Sequence, residues 1–126
     1  MSASETPPAV PDGVLVQSIV VDEQGDSAGY RIFRDGRYQS LARSDGWIDG
    51  TPLDPARVEA VERAIGEAPL DDLAGRYEGE VGDGEPQVLW MQVARGDAMR
   101  TVSVVGARRV PELEQLTAAL VAAFSD

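Results

Sequence analysis

The segment VLVQSIVVD at residues 14–22 constrains the fold most. Its β-branched and apolar side chains would lie on both faces of the strand that they predict. A strand with two apolar faces suits the centre of a sheet, or a place where both faces are covered. We therefore expect residues 14–22 to form a central or well-covered strand.

Two hairpins are predicted beyond this strand. The Asp35-Gly36 pair is the strongest hairpin signal in the sequence, because a type I′ turn needs a positive φ at both central positions. Gly96-Asp97-Ala98 supplies a second turn between apolar runs. The strands expected from these signals are residues 30–35, 37–43, 87–95 and 99–105, with a short edge extension at Trp47-Ile48.

Two helices are also predicted. Asp54 is a suitable N-cap and Pro55 a suitable first residue for the first helix, which Pro69 ends. Pro111 begins the second helix, which runs over residues 111–124. The apolar stripes at helical spacing are Val58, Val61, Ala64 and Ile65 in the first helix, and Leu113, Leu116, Leu120 and Phe124 in the second.

The order β-β-β-α-β-β-α predicts an α+β fold. We expect an antiparallel sheet of four to five strands with two helices on one face. Residues 14–126 have the length of a single domain. Residues 1–13 are small, polar and proline-rich, which predicts a flexible or extended N-terminal arm.

Four residue types are missing from the chain: His, Cys, Lys and Asn. Their absence removes the imidazole base, the thiolate nucleophile, the nitrogen and sulfur metal ligands, and the Schiff-base or P-loop lysine. A serine triad is not credible without histidine. We therefore predict a protein that is not an enzyme and that binds no cofactor or metal.

Carboxylates are the densest of the remaining polar groups. The loop EGEVGDGEP at residues 78–86 is acidic and glycine-rich, but it does not match the oxygen-ligand spacing of a calcium-binding loop. A solvated loop is the expected structure, and cation binding by this loop stays open. A minimal carboxylate enzyme is a further alternative, and its candidate residues are Asp71, Asp72, Glu78 and Glu80.

The charge balance limits the possible partners. The chain has 22 acidic and 11 basic residues, for a net charge of −11. Such a surface repels nucleic acid and anionic membranes, whereas a basic protein patch remains possible as a partner. Residues 1–13 show neither a basic start nor a long apolar run, so we expect a cytoplasmic protein. A homodimer is also possible.

The few aromatic residues suggest a protein-binding surface. Tyr30 and Tyr38 are expected to face each other across the first hairpin, on the side of Ile32, whereas Trp90 is expected in the core. We predict that Tyr30, Tyr38 and Trp47 form a partly exposed patch on the sheet face that the helices do not cover. Alternatively, the N-terminal arm or a second copy of the chain covers that patch. The candidate protein-binding residues are Tyr30, Ile32, Arg34, Tyr38 and Trp47.

Four segments follow one another along the chain: YRIFRDGRYQS, ARVEAVERAIGEA, QVLWMQVARGDAMRTVSVV and PELEQLTAALVAAF. Their order resembles that of emfourin-type proteins, small bacterial inhibitors of thermolysin-like metallopeptidases. The resemblance covers about residues 28–124. It implies a non-enzymatic inhibitor that binds a protease, and it assigns no functional residue.

Two functions therefore remain besides the carboxylate enzyme. The first is a non-catalytic, acidic protein-binding module that inhibits or regulates a partner protein such as a protease. The second is a structural accessory subunit of a larger protein assembly, in which the proline-rich arm docks along a neighbouring subunit.

Overall fold

The computed structural model describes residues 7–42, 46–68, 70–73, 75–79, 87–96, 98–106 and 108–124. Within these ranges the chain forms seven strands, two α-helices and a short 3₁₀ helix at Leu70–Asp72. The strands are β1 (Val14–Val21), β2 (Ser27–Phe33), β3 (Tyr38–Leu41), β4 (Trp47–Asp49), β5 (Arg76–Glu78), β6 (Val88–Arg95) and β7 (Ala98–Val105), and the helices are α1 (Pro55–Glu67) and α2 (Pro111–Phe124).

All seven strands belong to one sheet with the order β4-β3-β2-β1-β6-β7-β5. β1 lies at its centre and pairs antiparallel with β2 and β6, as its two apolar faces predict. The α+β class is confirmed, but the prediction of four to five strands is wrong. The strand missed by the sequence is β5, which pairs parallel with β7 and makes the sheet mixed. Three residues with a single aromatic side chain carry no periodicity from which to predict a strand.

Both helices pack on the same face of the sheet, as expected. The Asp54 carboxylate accepts a hydrogen bond of 2.9 Å from the backbone N–H of Arg57, so it caps α1 at the predicted position. The predicted apolar stripes reach the core that the helices share with the sheet. Their buried members are Val58, Val61 and Ile65 in α1, and Leu113, Leu116 and Leu120 in α2.

The first hairpin forms around Gly36, but not with the predicted type I′ turn. The Gly36 N–H donates to the Phe33 carbonyl at 3.0 Å, and the Phe33 N–H donates to the Arg37 carbonyl at 2.9 Å. Gly36 has a φ of +95°. It is the last residue of a three-residue loop, residues 34–36, in which a glycine of positive φ follows a tight turn. As a result Ile32, rather than Phe33, lies opposite Tyr38.

The opposite sheet face carries a second apolar cluster. Trp47 packs against this second cluster, whereas the buried residues of both helices belong to the larger cluster on the other face of the sheet. Residues 7–11 run along this second face without regular secondary structure. We call it the open face, because no described helix packs on it. The buried members of its cluster are Ile19, Val21, Val88, Trp90 and Val105.

Candidate protein-binding groove on the open sheet face

Five polar side chains form a row across five neighbouring strands of the open face. Gln92 of β6 lies directly opposite Gln17 of β1, and Gln17 lies opposite Arg31 of β2. Arg31 in turn lies opposite Gln39 of β3, which lies opposite Asp49 of β4. Directly paired residues of adjacent strands share a face and lie close together. We call these five residues the polar row.

Hydrogen bonds connect every member of the polar row to the next. Arg31 donates from Nε to Gln39 Oε1 at 2.7 Å and from Nη1 to Gln17 Oε1 at 3.2 Å. Gln39 Nε2 donates to Asp49 Oδ1 at 2.8 Å. On the other side of the arginine, Gln17 Nε2 donates to Gln92 Oε1 at 3.0 Å. The row is therefore one continuous chain of hydrogen bonds.

Arg31 determines the direction of the hydrogen bonds along the polar row, because a guanidinium has donors and no acceptor. Gln39 and Gln17 must both turn their amide oxygens toward it. The NH₂ group of Gln17 is then left to point away from Arg31, where one of its protons reaches the oxygen of Gln92. The NH₂ group of Gln92 is free to donate elsewhere. The polar row thus presents two N–H donors to the space above the sheet.

The N-terminal arm of the same chain accepts both donors. Gln92 Nε2 donates to the Pro8 carbonyl at 2.9 Å, and Gln17 Nε2 donates to the Ala9 carbonyl at 3.0 Å. Pro8 and Val10 are half-buried, whereas their neighbours along the arm are exposed. This alternation is that of an extended segment, which the fixed φ of proline favours. The arm therefore lies on the sheet as an extended strip with two side chains turned inward.

Arm and sheet together line a groove of about 690 Å³. The Arg31 guanidinium carbon lies 3.9 Å from the centroid of the Trp47 ring, within the range of a cation–π contact. Trp90 is buried, and its indole Nε1 has no hydrogen-bond partner among the described residues. The sheet residues that line this groove together with the arm are Ile19, Val21, Ser27, Arg31, Leu41, Trp47 and Trp90.

Burial of Arg31 has a cost that the polar row offsets. Desolvation, and to a lesser extent repulsion from Arg37, lowers the pKa of the Arg31 guanidinium below its ordinary value. The two amide oxygens and the face of Trp47 surround the charge with partners. Arg31 is therefore the electrostatic centre of the groove.

Three of the predicted binding residues lie on the wrong face for the predicted patch. Tyr30, Ile32 and Tyr38 belong to the core on the helix side of the sheet. The two tyrosine rings do face each other, with centroids 6.4 Å apart and nearly parallel planes. Local alternation places these residues together, but it does not say which of two apolar faces the helices cover. The prediction that they form an exposed patch opposite the helices is wrong.

The other two predicted residues are separated from each other. Arg34 is exposed in the turn between β2 and β3, where its backbone N–H donates to the Gly13 carbonyl at 2.7 Å. Trp47 lies at the groove, and Trp90 is buried as predicted. Residues 7–11 line one cavity with Trp47, so the alternative in which the chain's own arm covers the predicted patch holds for Trp47 and not for Tyr30 or Tyr38.

The polar row was not predicted from the sequence. Its signal is a single glutamine in the middle of a mostly apolar strand, once in VLVQSIVV and once in VLWMQVAR. Gln17 is fully buried and Gln92 is 3% exposed, so each amide must find partners inside the fold. An isolated buried amide on each of two central strands predicts that the two strands pair through them.

The carboxylate candidates do not converge among the described residues. Glu78 pairs with Arg76 on the same short strand, at 2.9 Å. Residues 80–86 of the predicted acidic loop, together with the Asp71 side chain, lie outside the described part of the chain. Within that part, no three acidic side chains come close enough together to hold a metal ion.

Comparison with known proteins adds no family. No protein-family model matches the chain, and no curated protein sequence matches it. Neither described helix has the length and apolar character needed to cross a membrane.

Proposed function

We propose that this chain is a non-catalytic protein-binding domain whose binding surface is the groove on the open sheet face. The observation that carries the proposal is the pair of buried glutamine amides that donate to consecutive main-chain carbonyls, those of Pro8 and Ala9. A main-chain carbonyl occurs in every polypeptide. Two fixed donors beside an apolar wall therefore suit an extended peptide segment as the ligand.

The composition of the groove supports the same function. Tryptophan and arginine are the residues most often found at the energetic centre of protein interfaces. Here Trp47 and Arg31 lie in direct contact beside the two donors. A buried donor left without an acceptor costs about 1–3 kcal/mol, so the groove needs an occupant that offers carbonyl oxygens. Either the arm or a segment of a partner protein meets this need.

Inhibition or regulation of a partner such as a protease is the specific form of this proposal. Binding through surface complementarity suffices for such a role, and the groove residues include no imidazole, thiol or amine. A structural accessory subunit held by its arm is the second candidate. In this second candidate the arm would leave its two hydrogen bonds with Gln17 and Gln92 and dock on a neighbouring subunit instead.

Site-specific photocrosslinking tests the proposal. A photoreactive phenylalanine replaces Trp47 in the groove of the full-length chain, and the matched control places it at Glu62, which is exposed on α1. After irradiation in native lysate at native concentration, we expect one defined protein adduct from position 47 and none from position 62. Adducts from both positions alike, or from neither, would contradict a binding surface on the open face.

A further inference from the structure

We propose that the chain has a second binding site, a cavity beside α2 that takes a small apolar molecule with one carboxylate group. The cavity has a volume of about 430 Å³ and is lined by residues of β6, β7, α2 and the connection between β7 and α2. We call it the α2 cavity. Its lining residues Leu89, Val104 and Leu113 belong to the core on the helix side of the sheet. The site is therefore separate from the groove on the open face and independent of the proposed function.

A gap in the helix layer forms the α2 cavity. Leu89 is only half-buried, although β6 lies between β1 and β7 in the interior of the sheet. Val20, which lies directly opposite Leu89 on β1, is the one residue of that strand that is not buried. Val104 and Leu113 are buried beside them. The cavity thus reaches from the surface to the apolar core.

The size and lining of the α2 cavity suit a small molecule. Small-molecule sites have volumes of roughly 300–1,000 Å³, mostly apolar walls and a few polar groups that orient the ligand. Val110 adds to the apolar wall here, and Thr117 supplies one hydroxyl group. Transfer of an apolar ligand from water into such a site is favourable. We therefore expect a compact ligand with an apolar end.

Charge selects a carboxylate for the other end of the ligand. Arg108 and Arg109 line the cavity from the connection before α2, and Glu114 is the one acidic residue among the described lining residues. The lining therefore carries a charge of +1, whereas the whole chain carries −11. The planar fork of an arginine matches the two oxygens of a carboxylate.

Both arginines can exchange their present contacts for a ligand at little cost. Arg109 donates to Glu114 Oε1 from Nε at 3.3 Å and from Nη2 at 3.0 Å, and these side chains are 87% and 49% exposed. Ion pairs with such exposure contribute little to stability. Arg108 donates one long hydrogen bond, of 3.4 Å, to the Glu78 carbonyl, and no carboxylate of a described residue pairs with it. A ligand carboxylate would compete with Glu114 for Arg109 and gain Arg108 as a second partner.

A series of ligands with one chain length and three head groups tests the site. The probes are octanoate, 1-octanol and octyltrimethylammonium, each titrated into the full-length protein. Methyl NMR locates the site through Leu89, Val104 and Leu113, and Ile19 and Val88 on the open face serve as internal controls.

We expect octanoate to bind with a Kd of roughly 1 mM or below and to shift the three methyl signals of the α2 cavity. Octanol should bind at least about threefold more weakly, and the cation more weakly still. Hexanoate should bind about tenfold more weakly than octanoate, because it buries less apolar surface. Equal affinity for the three head groups would overturn the inference. Shifts of equal size on the open face, or none at Leu89, Val104 and Leu113 at several times that concentration, would also overturn it.

Substitutions at exposed positions separate the contributions of shape and charge. Ala118→Leu should fill part of the cavity and weaken octanoate binding at least about tenfold, whereas Ala122→Leu, one turn further along α2 and outside the lining, should leave it unchanged. These two alanines are exposed, so neither change threatens the fold. Equal affinities in the two variants would place octanoate outside the α2 cavity and contradict the inference.

Charge variants should change the affinity in opposite directions. Arg108→Gln should weaken octanoate binding about threefold or more, and Glu114→Gln should strengthen it about threefold, because a competing carboxylate is removed. Arg63→Gln, which removes the same charge from the exposed face of α1, is the matched control and should have no effect. A loss equal to that of Arg108→Gln in the control, or weaker binding by Glu114→Gln, would show that Arg108 and Arg109 do not hold the carboxylate.

Discussion

Replacement of Arg31 with methionine should disconnect the polar row. Methionine keeps much of the side-chain length but has no donor, so the amide oxygens of Gln17 and Gln39 lose their common partner. Gln17 is then no longer forced to point its NH₂ group at the groove. We expect both a loss of stability and a release of the arm.

The structure gives the size of the stability effect. Two hydrogen bonds from a charged donor contribute about 1.5–3 kcal/mol each, and the contact with Trp47 at 3.9 Å about 1 kcal/mol. Removal of the partly buried charge offsets part of this loss of free energy, because the desolvation that lowers the Arg31 pKa is relieved. The expected net loss in the free energy of unfolding is about 2–3 kcal/mol, or about 1–2 M in the urea midpoint.

Arg37→Met is the matched control. Arg37 also lies over an aromatic ring, that of Phe33 at 4.1 Å, but it pairs with Asp35 in solvent, where its side chain is 57% exposed. Exposed ion pairs contribute little, so its loss should be at most roughly a third of that for Arg31. Urea unfolding followed by circular dichroism compares the two without relying on tryptophan fluorescence, which the Arg31 change would itself alter. Equal losses in the two variants would refute the argument from the polar row.

Four further substitutions test other parts of the fold. Gly29→Ala should destabilise the fold by more than about 2 kcal/mol, because the new Cβ would overlap the Ser18 carbonyl oxygen. Gly66→Ala in α1 should stabilise the fold by about 0.5–1 kcal/mol, because the space around Gly66 is open. Thermal melts of both variants test this pair of predictions. Burial of the Tyr30 side chain, and to a lesser extent the charge of Tyr38, raises the pKa of Tyr30 to about 12. The stability that neutral Tyr30 contributes is therefore complete below pH 10 and is lost as the pH rises toward 12. At pH 11 the wild type should lose about 1.4 kcal/mol that Tyr30→Phe does not lose, and an identical pH dependence of urea unfolding in both would contradict this. Asp54→Ala should lower the free energy of unfolding by about 0.5–2 kcal/mol through loss of the α1 cap, and an unchanged melting temperature would show that the cap is unimportant.

Much of the fold follows from local patterns in the sequence. The two apolar faces of β1 predict its central position, and Asp54 with Pro55 predicts the start of α1. β5 has no such pattern, because its pairing with β7 depends on how the intervening chain returns to the sheet edge. The turn at Gly36 shows a similar limit, since the same dipeptide supports two loop lengths and the register of the whole hairpin decides between them.

The site was harder to predict than the fold. Alternation groups Tyr30 with Ile32 and Tyr38, but the side of the sheet on which they lie depends on where α1 and α2 pack. The polar row depends on the register of five strands, which places Gln17 and Gln92 side by side although 75 positions separate them in the sequence. These two residues could have been linked from the sequence only by assuming that two buried amides form hydrogen bonds with each other.

The proposed binding surface requires that the arm lie on the polar row, and nuclear Overhauser effects measure this contact directly. In the full-length protein, the side-chain amide protons of Gln92 and Gln17 should show strong effects to the α-protons of Pro8 and Ala9, in line with donor–acceptor distances of 2.9 and 3.0 Å. The backbone amides of Ala9 and Val10 should relax like those of β1. Missing cross-peaks, with fast internal motion at both amides, would contradict the account.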